Sequence, residues 1–359
     1  MSKTKMSDSL AMASTRAAIK NQGTHMWSAA NLAELVVWFV WLLHSEFIAR
    51  FQRRRPVERR VPAWLGACDD GRRPAAIVTG AGSGIGRAVA VQLARMGAGA
   101  LVIACRTLAE ARAVTDEIRA AAPEDVVLKP VGVDLRDPAQ IVAMCEDVRF
   151  DKSLRVRLVV HCAGVFCASW RNTEWGEEET AAVNAVAGPR ILRNLGVKGI
   201  RFVAVGSFTH RATSSARIRR WMAAVHEGTD IIKPPLIKPP LTPAAAYSCS
   251  KTAVVAYAWG ARRRWGGDGF TACVADPGLV DTAINREWPA ALRGLYLAVA
   301  RVTGLLTASS TGAAAVLHAC FDEEATYVYG ARGVRVQPSD TDPAAREEVF
   351  DYLEDLACP

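Results

Sequence analysis

In the stretch YSCSK, Tyr247 and Lys251 are four residues apart. On a helix this spacing places both side chains on one face and within mutual reach. A free phenol has a pKa of about 10 and is a poor base at neutral pH, but a nearby ammonium group favours the phenolate. We therefore interpret the pair as acid–base machinery, in which Tyr247 takes a proton from an alcohol or returns one to a carbonyl oxygen.

A glycine-rich turn, TGAGSGIG at residues 79–86, lies between a predicted apolar strand at 75–79 and a helical stretch from 87 to about 96. Gly80 allows the tight turn, Gly84 lets the backbone approach a pyrophosphate, and Gly86 lets the helix lie close to the sheet. The helix N-terminus then offers free N–H groups to phosphates. Strand, loop and helix in this order predict a dinucleotide site formed by Gly80, Ser83, Gly84, Ile85 and Gly86.

The next predicted strand, at residues 100–104, leads to Arg106. A site selective for NAD usually carries an acid there, which accepts from the ribose 2′-hydroxyl, whereas Arg106 offers donors suited to a 2′-phosphate. NADP(H) is therefore the preferred cofactor; NAD(H) is the alternative if Arg106 is only a solvated loop residue. A third predicted strand, at 126–133, leads to Asp134 and Leu135, where the carboxylate could accept from the adenine amino group.

Short apolar strands continue to alternate with helical stretches over residues 72–359. This alternation predicts a single α/β domain with a Rossmann-type, doubly wound, mostly parallel sheet. The later predicted elements are strands at 157–161, 201–205 and 271–275, further strands at 327–329 and 334–336, and an acidic terminal helix at 344–356.

Several motifs occur in a fixed order between residue 74 and about residue 285: TGAGSGIG at 79–86, HCAG at 161–164, Asn184, Ser207 in VGSFTH, YSCSK at 247–251, Pro277-Gly278 and Thr282. Their order and approximate intervals resemble the short-chain dehydrogenase/reductase family. The later segments TASSTGAAAVLHAC and YVYG also resemble its membrane-associated retinol-dehydrogenase-like branch, which includes plant homologues.

The resemblance implies a role for each of these residues. Tyr247 is the general acid–base, Lys251 hydrogen-bonds the nicotinamide ribose, and Ser207 holds the substrate oxygen. Asn184 keeps a water in place for a proton relay from Lys251. The other implied cofactor contacts are Ala163 and Gly164 on the adenosine side, Pro277 and Gly278 beside the nicotinamide carboxamide, and Thr282 near the phosphates. A homodimer through the two helices that contain Asn184 and Tyr247 is implied as well.

Substrate contacts are expected from residues 166–170 and 284–300. The second segment is largely apolar and is either a lid over the site or part of the core. An apolar lid implies a lipophilic substrate. Together with the resemblance, this predicts an NADP(H)-dependent oxidoreductase that interconverts a carbonyl and an alcohol on a retinoid-, steroid- or lipid-like molecule.

The chain departs from the family pattern at His161-Cys162, which replaces the first two residues of the usual Asn-Asn-Ala-Gly. Those amides tie the central strands to the cofactor. We interpret His161 as a substitution that still donates one hydrogen bond, not as a metal ligand or base. The departure leaves a second hypothesis open: a membrane-associated NADP-binding scaffold or sensor with little catalysis.

A second departure is the long interval between Ser207 and Tyr247, which indicates an insertion at about 211–243. It ends in a tandem repeat, IKPPL-IKPPL at 232–241. Proline at this density favours an extended, polyproline-like loop over the mouth of the active site. The insertion is either a tolerated surface loop or a contact for a proline-recognition groove.

Charge and cysteine content exclude other classes. The 359-residue chain has a net charge of +8, but residues 1–60 alone hold ten Lys/Arg against four acids. A nucleic-acid binder should instead carry a basic face on its folded domain, so no nucleic-acid partner is expected. The nine cysteines are scattered without a CxxC pair, which fits neither a zinc site nor a disulfide framework, and no metal is expected.

Residues 1–71 form a leader with a predicted helix at about 29–49 and a basic stretch that extends to residue 60. Its apolar run, 35–43, is too short to cross a bilayer, which takes about 20 residues. An amphipathic helix followed by basic residues is typical of an anionic membrane surface, so residues 29–60 predict a membrane-seeking segment. The main domain would then face the cytosol, with the endoplasmic reticulum as one location. The alternatives are a helix packed on the domain and a cleaved organelle-targeting leader. The polar residues that share one face of this helix are Asn31, Glu34, Trp38, Trp41 and Ser45.

Overall fold

The computed structural model describes residues 28–50, 60–67, 71–227, 241–330, 333–335 and 342–358. Its strands are β1 (Arg73–Thr79), β2 (Ala100–Cys105), β3 (Val127–Gly132), β4 (Leu154–His161), β5 (Arg201–Val205), β6 (Thr271–Asp276), β7 (Tyr327–Tyr329) and β8 (Val334–Arg335). They form one sheet in the order β3-β2-β1-β4-β5-β6-β7-β8. The first seven strands are parallel, and β8 is antiparallel to β7. The strand order reverses between β1 and β4, where parallel α/β sheets open a ligand crevice at the carboxyl ends of their strands.

Helices cover both faces of this sheet. In β1, Ile77 packs into one buried apolar cluster and Val78 into another, because successive side chains of a strand point to opposite faces. The helices are α1 (Ala29–Arg50), α2 (Ala63–Gly66), α3 (Gly84–Arg95), α4 (Leu108–Arg119), α5 (Pro138–Arg149), α6 (Ala187–Leu195), α7 (Ser215–Glu227), α8 (Pro243–Trp265), α9 (Ala290–Val302), α10 (Ser309–Phe321) and α11 (Pro343–Ala357). The prediction of a single α/β domain with a Rossmann-type sheet is confirmed.

The predicted insertion at 211–243 is not all extended loop. Its first part forms α7, which packs on α8 and α11. Two side chains of α7 form hydrogen bonds with other helices: Arg217 with α1 and Arg219 with α11. The IKPPL repeat lies outside the described residues except for Leu241.

The C-terminal helix α11 covers α6 and α8, the helices that the resemblance assigns to a dimer. Tyr257 of α8 stacks on Phe350 with ring centroids 5.4 Å apart, and its hydroxyl donates to Glu354 Oε1 at 2.9 Å. Arg190 of α6 donates to the Leu356 carbonyl at 2.9 Å. At these contacts, α11 of the same chain covers the surface of α6 and α8.

Helix α1 packs on the domain through its polar face, as the packing alternative predicts. Asn31, Glu34, Trp38 and Ser45 are buried, whereas Trp41 is half-buried. The opposite face is exposed and aliphatic, formed by Leu32, Val36, Val37, Val40 and Leu43. No helix in the described ranges combines the length and apolarity needed to span a membrane. Burial of this face is favourable because Asn31, Glu34, Trp38 and Ser45 each form a hydrogen bond with the domain.

Candidate active site

A cleft of about 510 Å³ opens at the carboxyl ends of β1, β4, β5 and β6. Its volume lies within the range of about 300–1,000 Å³ found for small-molecule sites. Its lining includes every predicted catalytic and cofactor-binding residue except Asn184. The structure therefore brings the predicted nucleotide loop and the predicted acid–base pair into one cavity.

The glycine turn after β1 is too tight for side chains. At Gly80, whose φ is +65°, a Cβ atom would lie 2.8 Å from the backbone of Ala163. At Gly86 it would lie 2.7 Å from the Gly80 carbonyl carbon. Gly84, with φ +55°, faces the Thr282 side chain, whose Cγ2 would lie 3.2 Å from a Cβ. The turn therefore presents backbone to the cleft, at the N-terminus of α3.

At the other end of the nucleotide loop, Arg106 is available to a ligand. Its side chain is 64% exposed, and its nearest ionic partner, Glu110, is 3.9 Å away. Asp134 is already engaged, because Arg136 Nε donates to both of its carboxylate oxygens, at 3.0 and 3.1 Å. Hydrogen bonding to Arg136 also lowers the pKa of Asp134. Sequence reasoning stopped at Leu135 and missed Arg136, a second cation that lines this end of the cleft.

The acid–base pair lies on α8, which begins with Pro243 after the N-cap Thr242. Lys251 Nζ donates to the Val205 carbonyl at 2.8 Å and lies 5.7 Å from the centroid of the Tyr247 ring. Tyr247 and Ser207 both line the cleft, and the Ser207 side chain acts to lower the pKa of Tyr247. Ser207 directly follows Gly206 at the end of β5, so a substrate oxygen could meet both hydroxyls.

Burial controls the ionisation of this pair. It raises the pKa of Tyr247 above its usual 10, and it lowers the pKa of Lys251 to about 8, against the opposing effect of the Asp276 carboxylate. Desolvation disfavours the charged form of each group. In this structure burial outweighs the expected effect of the Lys251 ammonium on Tyr247, which keeps its proton at neutral pH.

Asn184 lies beside the cleft and not in its lining. It is buried in a π-helical turn, Ala182–Val186, which leads into α6. Its Oδ1 accepts from the Val165 N–H at 2.8 Å, and its Nδ2 donates to the Val165 carbonyl and to Ser250 Oγ, both at 3.0 Å. These bonds tie the loop after β4 to α8; the predicted water-holding role remains a prediction.

His161 joins three segments of the core. Its Nε2 lies 3.0 Å from the Val183 carbonyl, and because a carbonyl only accepts, this nitrogen carries the hydrogen. Its Nδ1 then accepts from Thr79 Oγ1 at 2.9 Å, and that oxygen accepts from the Ala163 N–H at 3.3 Å. Burial lowers the pKa of His161 to about 4, so the ring is neutral near pH 7. Among the described residues no cluster of side chains could hold a metal ion.

The remaining wall of the cleft is aromatic. Phe166 stacks on Tyr247 with centroids 4.9 Å apart, and Trp288 meets Phe166 edge-on at 5.1 Å. Trp288 also packs against Tyr296 of α9. The segments predicted to bind substrate therefore reach the lining of the cleft, and Phe166 and Trp288 are also buried in an apolar cluster. Arg171 ties the two segments together, because it donates to both Glu287 carboxylate oxygens, at 2.8 and 2.9 Å.

Sequence reasoning missed one member of this wall, Trp38 of α1. The spacing of polar residues on α1 identified its face, but that face was interpreted as the one turned to water. The signal was the presence of Asn31 and Glu34 on the same face, because buried polar groups require partners.

Comparison with known proteins places this arrangement in context. Residues 74–187 match the family described as short chain dehydrogenase. A Streptomyces lividans protein named "Probable oxidoreductase" is 32% identical over 223 residues, which are 60% of this chain and 67% of that protein. This chain belongs to the short chain dehydrogenase family.

Other relatives of this short chain dehydrogenase act, by their names, on lipophilic alcohols. The polyprenol dehydrogenase of Mus musculus is 33% identical over 223 residues, 59% of this chain and 61% of that protein. Human retinol dehydrogenase 13 is 30% identical over 214 residues, 59% of this chain and 60% of that protein. The matches thus span about three-fifths of the length of these two relatives. They support the resemblance to the retinol-dehydrogenase-like branch.

The family binds NAD(P), and the residues of this cleft fit such a group. The glycine turn leaves room that a Cβ would fill, the N-terminus of α3 faces the cleft, and Arg106 is exposed at its far end. A solved structure from Beutenbergia cavernae, described as an NAD(P) dependent gluconate 5-dehydrogenase with bound NADP, is 26% identical, with a TM-score of 0.51. The match covers 70% of this chain and 91% of that one.

Proposed function

We propose that this protein is an NADP(H)-dependent oxidoreductase that interconverts an alcohol and a carbonyl on a lipophilic small molecule, with Tyr247 as the general acid–base. The observation that carries the proposal is the grouping of Tyr247, on α8, with Ser207, which follows β5. It lies in a cleft that also contains Lys251 and the glycine turn.

The nicotinamide, when bound, supplies the hydride acceptor or donor. The protein then has three tasks. Ser207 and Tyr247 bind the substrate oxygen, and Tyr247 gives or takes its proton. Lys251, one helical turn away, orients the cofactor ribose and supplies positive charge near the phenol. The aromatic wall excludes water from the reacting carbon.

NADP(H) is the proposed cofactor because Arg106 stands at the end of β2, where an acid would favour NAD(H). Its exposed guanidinium can form the paired, charge-assisted hydrogen bonds that a 2′-phosphate accepts. Arg136 adds a second positive group at the same end, although Asp134 partly neutralises it.

The lipophilic character of the substrate rests on the aromatic wall and on the names of the relatives. Phe166 stacks on Tyr247, and Trp288 and Tyr296 continue the aromatic surface beyond Phe166. Sites of this composition favour ligands with a large apolar body and one polar group. An alcohol on an isoprenoid or retinoid chain fits this description.

The aliphatic outer face of α1 supports a further part of the proposal, association with a membrane surface. Val36 and Val40 are 64% and 58% exposed. A row of exposed aliphatic side chains on one helix face is typical of helices that lie in the lipid interface. The basic stretch at 51–59 lies outside the described residues.

The proposed chemistry is tested by Tyr247→Phe in the full chain, with a panel of retinoid, isoprenoid and short-chain alcohols and their carbonyl forms. Removal of the proton donor is expected to lower kcat at least about 100-fold. The Kd for NADPH, measured by fluorescence, should change less than about threefold. Tyr352→Phe is the matched control, because Tyr352 donates to the Met222 carbonyl at 2.9 Å, away from the cleft.

The competing function is an NADP-binding scaffold with little catalysis, for which the replacement at His161-Cys162 was the argument. The bonds of His161 to Thr79 and to the Val183 carbonyl weigh against it, because they still tie the central strands together. Micromolar NADPH binding by the wild type, with no turnover above that of Tyr247→Phe on any substrate, would favour the scaffold instead.

A further inference from the structure

Helix α1 is bound directly to the catalytic helix α8. Asn31 Oδ1 accepts from the Ala244 N–H at 3.1 Å, and Trp38 Nε1 donates to Ser248 Oγ at 2.9 Å. These partners lie on either side of Tyr247 in the sequence of α8. Residues 31 and 38 are two helical turns apart, so α1 is fixed at two points beside the acid–base residue.

Two arginines fix the same face of α1 from the segment that follows Ser207. Glu34 accepts from Arg217 Nη1 at 2.8 and 3.1 Å, and Ser45 Oγ accepts from Arg211 Nη1 at 2.9 Å. The Glu34 carboxylate is nearly buried, so loss of its partner would leave an uncompensated charge. Contacts with three separate elements hold α1 in one position.

This position places the Trp38 ring in the cleft. Its centroid lies 5.6 Å from that of Tyr247 and 5.6 Å from that of Phe166, both at an interplanar angle of 49°. The side chain is 4% exposed and lines the cleft. Because its N–H is bonded to Ser248, the ring offers its apolar surface to the cavity.

We propose that Trp38 is a specificity-determining residue, which contacts the apolar body of the substrate and selects bulky lipophilic alcohols over small ones. The proposal rests on the proposed function and adds a residue outside the segment that matches the family, 74–187. A large alcohol contacts the apolar surface that the indole and the Phe166 ring present to the cleft, whereas a small one leaves part of that surface without a partner.

The test measures kcat/KM of the full chain with NADP⁺ for all-trans-retinol and for 1-hexanol. Trp38→Ala is expected to lower the retinol-to-hexanol ratio at least about tenfold, because one lost apolar contact changes discrimination by about 10- to 200-fold. Trp38→Phe, which keeps a ring, should stay within about threefold of the wild type. Val40→Ala, on the outer face of the same helix, is the matched control and should leave the ratio unchanged.

An unchanged ratio, including one in which kcat/KM falls equally with both alcohols, would show that Trp38 only packs α1. That result would overturn the proposal. If Trp38→Ala fails to fold by circular dichroism, Trp38→Leu provides the same comparison.

A titration of retinol fluorescence separates this proposal from the reaction itself. A wild type that binds retinol at least tenfold more tightly than Trp38→Ala, yet turns nothing over, would support the role of Trp38 and contradict the proposed function. Equal binding by both proteins, or no binding by the wild type, would contradict the role of Trp38.

Discussion

The nucleotide half and the substrate half of the cleft are built in different ways. The nucleotide half is mostly backbone: Gly80 and Gly86 leave no room for a Cβ, and the N-terminus of α3 faces the cavity. The substrate half is made of side chains, with aromatic rings from α1, α8, α9 and the loops after β4 and β6. One half comes largely from a short stretch of sequence, whereas the other is assembled from five separate places.

The difference indicates which changes each half tolerates. A pyrophosphate site made of backbone depends on glycines that cannot accept even one methyl group. A wall of aromatic side chains can change its shape residue by residue without loss of the fold. We therefore expect small substitutions in the nucleotide half to abolish binding, and substitutions in the substrate half to alter selectivity.

The largest effect is expected from Gly86→Ala. The new Cβ would overlap the Gly80 carbonyl, which is backbone, and would lie 3.1 Å from the Cys162 Cβ, so little freedom to move remains. NADPH affinity, measured by fluorescence titration, should fall more than 100-fold. Alternatively, the variant should fail to fold, which a thermal unfolding experiment would detect as a missing transition.

Gly266→Ala is the control, because Gly266 has right-handed φ and ψ and its Cβ would meet nothing within 4 Å. A Gly86→Ala variant that binds NADPH like the wild type would contradict the contrast between the two halves.

A smaller effect concerns the pH dependence of stability at His161, which links the two halves. Burial lowers its pKa to about 4 from an ordinary 6.5, so its neutral form stabilises the fold above pH 6.5, and this contribution is lost as the pH falls towards 4. Between pH 7 and pH 4, the free energy of unfolding of His161→Asn should therefore fall by on the order of 3 kcal/mol less than that of the wild type. Urea unfolding at a series of pH values measures it.

His44→Asn, at an exposed position on α1, is the matched control for this experiment. Parallel pH curves for the wild type and His161→Asn would mean that the neutral imidazole does not stabilise the native state as described.

The smallest effect is expected at the outer face of α1, the part of the substrate half farthest from the chemistry. A double variant, Val36→Asp with Val40→Asp, should reduce flotation of the full chain with anionic vesicles about fivefold, because each charge costs free energy in the lipid interface. Turnover of 1-hexanol should stay unchanged. Truncation of the leader would be a poorer test, because it would remove Trp38 from the active site. Unchanged flotation would contradict the membrane proposal.

The sequence predicted the nucleotide half well because its signals are local. The strand, the glycine turn and the helix are adjacent in the chain, and Tyr247 and Lys251 are one helical turn apart. Arg106 was predicted to lie in the cleft from its place at a strand end, whereas Thr282 was predicted from the resemblance to the family; both line the cleft.

The substrate half could not be predicted in the same way. The position of Trp38 depends on Ser248, Arg217 and Arg211, which lie more than 160 residues away in the sequence. The composition of α1 indicated two faces but not which one meets the domain. The pairing of Asp134 with Arg136 was also missed, since side-chain partners depend on rotamers that no spacing specifies. The coverage of α6 and α8 by α11 likewise required the tertiary structure.

The bond between Trp38 and Ser248 spans 210 positions of the chain. A ribosome adds roughly 5–20 residues per second, so α1 is synthesised about 10 to 40 s before its docking site exists. During that time the polar face of α1 has no docking site, and its aliphatic face is also uncovered. The completion of this active site is therefore a late event in the biogenesis of the protein, although α1 itself is synthesised early.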